Sequence, residues 1–230
     1  MLKDLSDKRQ AIIYLDDDTD IRETITEDRK IILVNNADKK IDSTVDLTLE
    51  ADLTLYYIDF TAHDSSFDLK AVLPKNNNFT LKTYVLADAF KKMKLEAIHE
   101  GADSECSMDN NSVLLKNGKI DFDVIGRMSR GCFRSKHYQK SRCLTMDNLN
   151  NARILPTLFI DENDVEAAHA LTFGTVDEDT MYYLNSRGLS AEEAVSLIIR
   201  SYLKPDFEIF DDSNTESLKQ KLEEMTSELC

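Results

Sequence analysis

Between about Lys30 and His169, apolar and polar residues alternate in short runs. Each run is too brief, and too rich in β-branched or aromatic residues, for a helix. Val45-Asp46-Leu47-Thr48-Leu49, Phe67-Asp68-Leu69-Lys70-Ala71-Val72-Leu73 and Lys119-Ile120-Asp121-Phe122-Asp123-Val124 are clear cases. Asn35-Asn36, Asn76-Asn77-Asn78, Asn110-Asn111, Asn117-Gly118 and Asn150-Asn151 stand along the same stretch. Asparagine tolerates the left-handed backbone of a sharp corner, so these are read as corners between strands. Closely spaced short strands with such corners fit a sandwich, a barrel or a solenoid. No strict repeat chooses among the three.

After Gly174 the period becomes helical. Thr175-Val176-Asp177-Glu178 has capping-box spacing and opens a helix over Asp179–Arg187, which Gly188 closes in the left-handed conformation. Ser190-Ala191-Glu192-Glu193 is a second capping box, and its helix runs to Leu203. Ala194, Leu197, Ile198, Ser201 and Tyr202 are predicted to share its buried face, and Pro205 prevents continuation. A third box, Ser213-Asn214-Thr215-Glu216, starts a last helix whose Leu218, Leu222, Met225 and Leu229 form a narrow apolar stripe.

The chain has 230 residues, 42% of them hydrophobic, which is enough to build a core. Its 43 acidic against 28 basic residues give a net charge of -15, so the surface as a whole repels phosphate backbones and anionic leaflets. Nucleic acid and membrane are accordingly not expected as partners. No apolar run approaches a membrane span, and the first residues lack the apolar stretch of a signal peptide, so a cytoplasmic location is expected. The four cysteines, Cys106, Cys132, Cys143 and Cys230, show no C-x-x-C pair and are read as reduced thiols.

Candidate chemistry is sparse. There is no P-loop, no G-x-G-x-x-G, no G-x-S-x-G and no H-E-x-x-H, so neither nucleotide binding nor independent catalysis is expected. His169 follows the acidic run Asp161-Glu162-Asn163-Asp164 and is placed near the end of a strand, just before the change from β to α. It is either an exposed functional imidazole or a buried one hydrogen-bonded locally. The carboxylates of Asp161, Glu162 and Asp164 could collect a hard cation but lack the EF-hand pattern. Cys132, His137 and Cys143 could supply soft ligands, although their spacing matches no standard site.

The stretch from Ala152 to Pro205 carries a longer, ordered signal. It joins Pro156-Thr157-Leu158, the acidic Asp161–Val165 turn, His169, Phe173-Gly174-Thr175-Val176-Asp177, Met181-Tyr182-Tyr183-Leu184 and Ser186-Arg187-Gly188. This order resembles the SufB/SufD family of iron–sulfur cluster assembly proteins. Upstream, Arg127–Gly131 and Lys140–Leu144 look like diverged forms of the family's preceding turns. The resemblance implies a mainly β fold: a right-handed parallel β-helix over residues 1–174, followed by a small C-terminal α-helical region over 175–230 that docks on the ATPase SufC. On that model Tyr182, Tyr183, Leu184, Arg187, Gly188, Leu197 and Ile198 form the partner surface.

Within the family the chain looks more like SufD than SufB, because His169 is followed by Ala170 where the SufB-like pattern has a glutamate. The column of the SufB assembly thiol falls near Ser141, with Cys143 two residues away on the same strand face. The resemblance thus implies a non-enzymatic scaffold subunit that pairs with a SufB-like chain, with homodimerisation left open. No cofactor would be tightly bound. Iron or a nascent iron–sulfur cluster would be held transiently at the partner interface, with His169 facing it. The alternative is a free-standing β-solenoid or β-sandwich binding module with no cluster role, in which His169 is structural.

Overall fold

A computed structural model describes residues 9–146 and 151–204, together with Gln220. Thirteen strands, β1 (Gln10–Leu15), β2 (Thr19–Ile25), β3 (Arg29–Asn35), β4 (Ile41–Leu49), β5 (Leu53–Asp59), β6 (Ser65–Leu73), β7 (Asn78–Ala87), β8 (Phe90–His99), β9 (Glu105–Leu114), β10 (Lys119–Met128), β11 (Ser135–Thr145), β12 (Ala152–Ile160) and β13 (Val165–Thr175), precede two helices, α1 (Glu178–Ser186) and α2 (Ala191–Tyr202). The odd strands form one sheet in the order β1-β3-β5-β7-β9-β11-β13, and the even strands a second in the order β12-β10-β8-β6-β4-β2. Every pairing is parallel. Parallel neighbours two strands apart in sequence are what a coiling chain produces, so the fold is a parallel β-helix of about six turns. The antiparallel sandwich left open by the sequence is excluded.

The turns lengthen as the coil grows. Gln10 lies beside Lys30, Arg29 beside Leu53, Leu53 beside Phe79, Phe79 beside Cys106, Glu105 beside Lys136 and Ser135 beside Val165, so successive turns take 20, 24, 26, 27, 31 and 30 residues. This drift hides the repeat from a search at fixed period. Aspartates tie one turn to the next at the corners: Asp18 accepts from the Asp42 amide (2.8 Å), Asp28 from Asp52 (3.1 Å), Asp52 from Asn78 (2.7 Å) and Asp64 from Phe90 (3.0 Å). Part of the acidic excess is thus structural.

Residues of alternate parity face the space between the sheets and fill it with one continuous core, including Leu33, Leu55, Phe67, Leu81, Leu95 and Phe122. Tyr57 stacks on Phe67 with ring centroids 3.8 Å apart. At one corner of the coil Lys91 Nζ is buried against Asp59 (2.8 Å), Thr61 Oγ1 (2.9 Å) and the His63 carbonyl (2.7 Å), while Asp59 also accepts from Asn35.

A second apolar cluster lies on the outer face of the odd-strand sheet, where Ile32, Val34, Tyr56, Ile58, Tyr84, Leu86, Val113 and Leu144 meet Ile199 and Leu203 from α2 and its cap. Strands β3, β5, β7 and β9 are buried on both faces toward their C-terminal ends, which is why β3, β5 and β7 read as mostly apolar runs there, while β9 places Asn110, Asn111 and Ser112 in the same position.

Several local expectations change. Strands β1 and β2, which precede the alternating region, were not foreseen. Asn76 does make a corner, with φ of 51°. Asn110 and Asn111 do not: they lie in the middle of β9, buried. Asn110 joins Thr83 and Ser141 in a ladder across three turns, and Asn111 accepts from the Arg142 guanidinium. Asn150 lies outside the described residues.

Helix α1 is capped by Asp177, not Thr175, and Gly188 takes φ of 96° as expected. The Ser190–Glu193 capping box is present in full. Helix α2, however, buries Ala194 and Ile199, with Leu203 at its end, while Leu197 and Ser201 are exposed. The apolar arc is turned from the expected one because α2 lies on a sheet, where Val195, Ile198, Ile199 and Tyr202 make the contact. The proposed last helix from Ser213 falls outside the described residues, apart from Gln220.

Candidate functional site

The last turn of the described coil is open on one side. β12 and β13 are the terminal strands of their sheets, so each has one unpaired edge. His169 lies in the middle of β13, in register with Gln139 of β11. Gln139 is an inward position, buried at 2% exposure, and His169 shares that inward parity, yet it is exposed because no described strand follows on that side. The neighbouring Leu171, Phe173 and Ile160 are likewise exposed at 36%, 37% and 46%. A histidine therefore stands on an apolar end face.

Cys143 is buried in β11 beside Ser112 and Phe173, and burial pushes its thiol pKa up. Ser141 and Cys143 do share the inward face of β11. His169 is level with Gln139, four residues before Cys143 along the strand direction, which amounts to about 13 Å. The two are not brought together. Nor are Cys132, His137 and Cys143 assembled as a ligand set: among the described residues, the one such grouping that includes His137 has different partners. The acidic turn is held by amides: Glu162 accepts from Gly131 N (3.0 Å) and Asn163 N (2.8 Å), which keeps its carboxyl below the ordinary range.

The grouping that does form is His99, Cys106 and His137, all fully buried, with their ligand atoms within 4.8 Å of one another. His99 closes β8, Cys106 opens β9, and His137 lies next to Cys106 in register on β11. His99 Nε2 is 3.0 Å from His137 Nδ1, His99 Nδ1 is 2.7 Å from Ser104 Oγ, and His137 Nε2 is 3.1 Å from Gln139 Nε2. The proton positions follow from one end. An amide nitrogen only donates, so His137 Nε2 accepts, His137 Nδ1 donates to His99 Nε2, and His99 Nδ1 donates to Ser104. Both rings are neutral, and burial lowers their pKa values to about 4 for His99 and about 3 for His137. Gly126 leaves the room that the His137 ring uses: a Cβ there would stand 2.5 Å from His137 Nε2.

Sequence spacing hid this site because its members are 7 and 31 residues apart. The signal available was the length of one turn, which places residue 106 beside residue 137.

The helical residues expected to meet a partner form an exposed surface. Tyr182 is 77% and Tyr183 55% exposed, Arg187 stacks over the Tyr183 ring at 5.2 Å, and Leu197 is 47% exposed, while Leu184 and Ile198 are half-buried. A shallow groove lined by Met146, Val176, Met181, Tyr182 and Val195 runs beside them. No helix among the described residues is long and apolar enough to cross a membrane.

Comparison with known proteins gives a family match over residues 35–202, to the SufBD core domain of the SUF system for iron–sulfur cluster assembly. The iron–sulfur cluster assembly protein SufD of Bacillus subtilis is 34% identical over 127 residues, covering 55% of this chain and 28% of that protein. A SufBD family protein of Mycobacterium leprae is 26% identical over 108 residues, 47% of this chain and 12% of that protein. SufB of Bacillus subtilis is 26% identical over 118 residues, 51% of this chain and 24% of that protein. The matched region spans about a quarter or less of each of these relatives.

Proposed function

Since this chain belongs to the SufBD core family of the iron–sulfur cluster assembly system, we propose that it is a SufD-like, non-enzymatic scaffold subunit of a cluster assembly complex. The observation that carries this reading is the open last turn, where His169 stands exposed among Leu171, Phe173 and Ile160. An unpaired strand edge flanked by exposed apolar side chains suits a second β-helix, whose edge would supply the missing hydrogen bonds. A SufB-like chain is the proposed occupant. Burial against it would place His169 in a dry interface, where a neutral imidazole is a good ligand for iron or for a nascent cluster passing as cargo. The α1–α2 surface, with two exposed tyrosines and an arginine, has the composition of an interface anchor and is the proposed seat of a SufC-type ATPase.

His169→Ala is expected to leave assembly with a SufB-like partner intact while reducing iron–sulfur loading of the co-purified complex, read by iron and sulfide content. Normal loading would remove His169 from the cargo path. For the ATPase, the sound variant is Tyr182→Ala/Tyr183→Ala, whose side chains are exposed. Cutting the chain after Gly174 would strip Ile199 and Leu203 from the outer apolar cluster and confuse binding with stability. Isothermal titration against the SufC-type ATPase of the same organism should show affinity about tenfold weaker or worse for the double variant.

A further inference from the structure

We infer that the interior of the coil contains a metal site of its own, in which His99 Nε2, His137 Nδ1 and Cys106 Sγ bind one borderline divalent cation of the zinc or ferrous type. This inference does not rest on the assembly role proposed above. The three ligand atoms already lie within 4.8 Å of one another on three different strands, in a space closed off from solvent. Two imidazoles and a thiolate suit zinc or ferrous iron, and three protein ligands leave a fourth position open.

A second observation fits the same ligand. Gln139 Oε1 is buried and has no hydrogen-bond partner, an arrangement that disfavours the folded state. With a cation on His137 Nδ1, that ring must carry its proton on Nε2, and it then needs an acceptor where Gln139 now presents its amide nitrogen. Turning the Gln139 amide by half a turn supplies this acceptor, at the loss of a long 3.4 Å bond to the Thr157 carbonyl. On the other side, the existing His99 Nδ1 to Ser104 bond already leaves His99 Nε2 free to ligate. Both histidines would thus be held by second partners, as metal-binding histidines ordinarily are. The protons balance: the His137 proton moves from Nδ1 to Nε2 within the ring, and the Cys106 thiol releases one proton to solvent as its thiolate binds the cation.

The site lies one turn inside the open end. His137 and Gln139 belong to β11, and His169 lies beside Gln139 on the next odd strand. Gln139 therefore stands between the interior ligands and the exposed imidazole.

The test is titration of the purified, chelator-treated full chain with Co²⁺ under reducing, anaerobic conditions. The expected result is one equivalent bound, with a thiolate-to-cobalt charge-transfer band and d–d bands of tetrahedral intensity. Cys106→Ser should abolish the charge-transfer band, and Gln139→Ala should weaken binding about tenfold or more while the band persists. His169→Ala should leave both within about twofold, since it is not a ligand of this site. Circular dichroism confirms that each variant is folded. If Cys106→Ser does not fold, His99→Gln provides the independent check, with a reduced d–d intensity and weaker binding expected. No binding by the folded wild-type chain would overturn the inference. So would a charge-transfer band that survives Cys106→Ser, or binding that is lost with His169→Ala.

Discussion

One inward column of the odd-strand sheet runs Ala11, Ile31, Leu55, Leu81, Met108, Gln139, His169, each residue in register with the next. Its first five members are apolar and its last two are polar. The adjacent column changes the same way, from Leu53 and Phe79 to Cys106 and His137. In these columns the early turns are thus packed by non-directional burial, which tolerates apolar side chains of the right size. The late turns contain groups that need directional partners: Asn110 between Thr83 and Ser141, His99 between Ser104 and His137. On the inward face of the odd-strand sheet, apolar packing gives way to directional hydrogen bonding toward the late turns.

The contrast can be broken most strongly from the apolar end. Phe67 is fully buried and stacked on Tyr57, so Phe67→Ala should lower stability by about 3–5 kcal/mol, read as a lower urea midpoint with an unchanged slope. A slope change would mean that early and late turns unfold separately, which would sharpen the contrast into two cooperative units.

An acid titration probes the polar end. In the metal-free chain His99 and His137 are neutral when folded, with pKa values lowered to about 4 and about 3 from 6.5. The unfolded chain therefore takes up protons first as pH falls. Their contribution is fully present above about pH 6.5 and is lost progressively below it, down to about pH 3. Denaturation midpoints measured in chelator between pH 7.5 and 4.5 should fall, and should fall less in a His99→Leu/His137→Leu variant.

The smallest effect lies outside both interiors. Ser190→Ala removes one half of the capping box of α2 and should cost about 1 kcal/mol. Because α2 covers the outer face of β3 to β9, a larger loss would show that the helix supports the apolar turns beyond its own cap.

The strand-then-helix order, most strand positions and both described helices were legible because alternation, capping boxes and glycine closure are local signals. Strand β2 was not: Ile21 and Ile25 are its only fully buried residues, too few to stand out as an alternating run. Asn110 and Asn111 look like corners in the sequence because asparagine usually serves there. Only stacking beneath Ser141 and Arg142 reveals them as interior groups. His169 is visible in the sequence as a histidine before the change from β to α, but its exposure depends on the absence of a covering strand in the described coil. The buried triad was out of reach because its members meet through the length of a turn, and that length changes along the chain.

That change has a consequence for how such a chain can be altered. In a solenoid of identical turns any unit can be excised or duplicated, and its neighbours rejoin in register. Here the turn from Arg29 to Leu53 takes 24 residues and the next, from Leu53 to Phe79, takes 26, so adjoining turns have different circumferences. The corner aspartates are spaced to match: Asp28 reaches Asp52, and Asp52 reaches Asn78. Removing a middle turn would join two circumferences that do not fit. The coil is therefore a tapered series with a fixed order, and its units are not interchangeable.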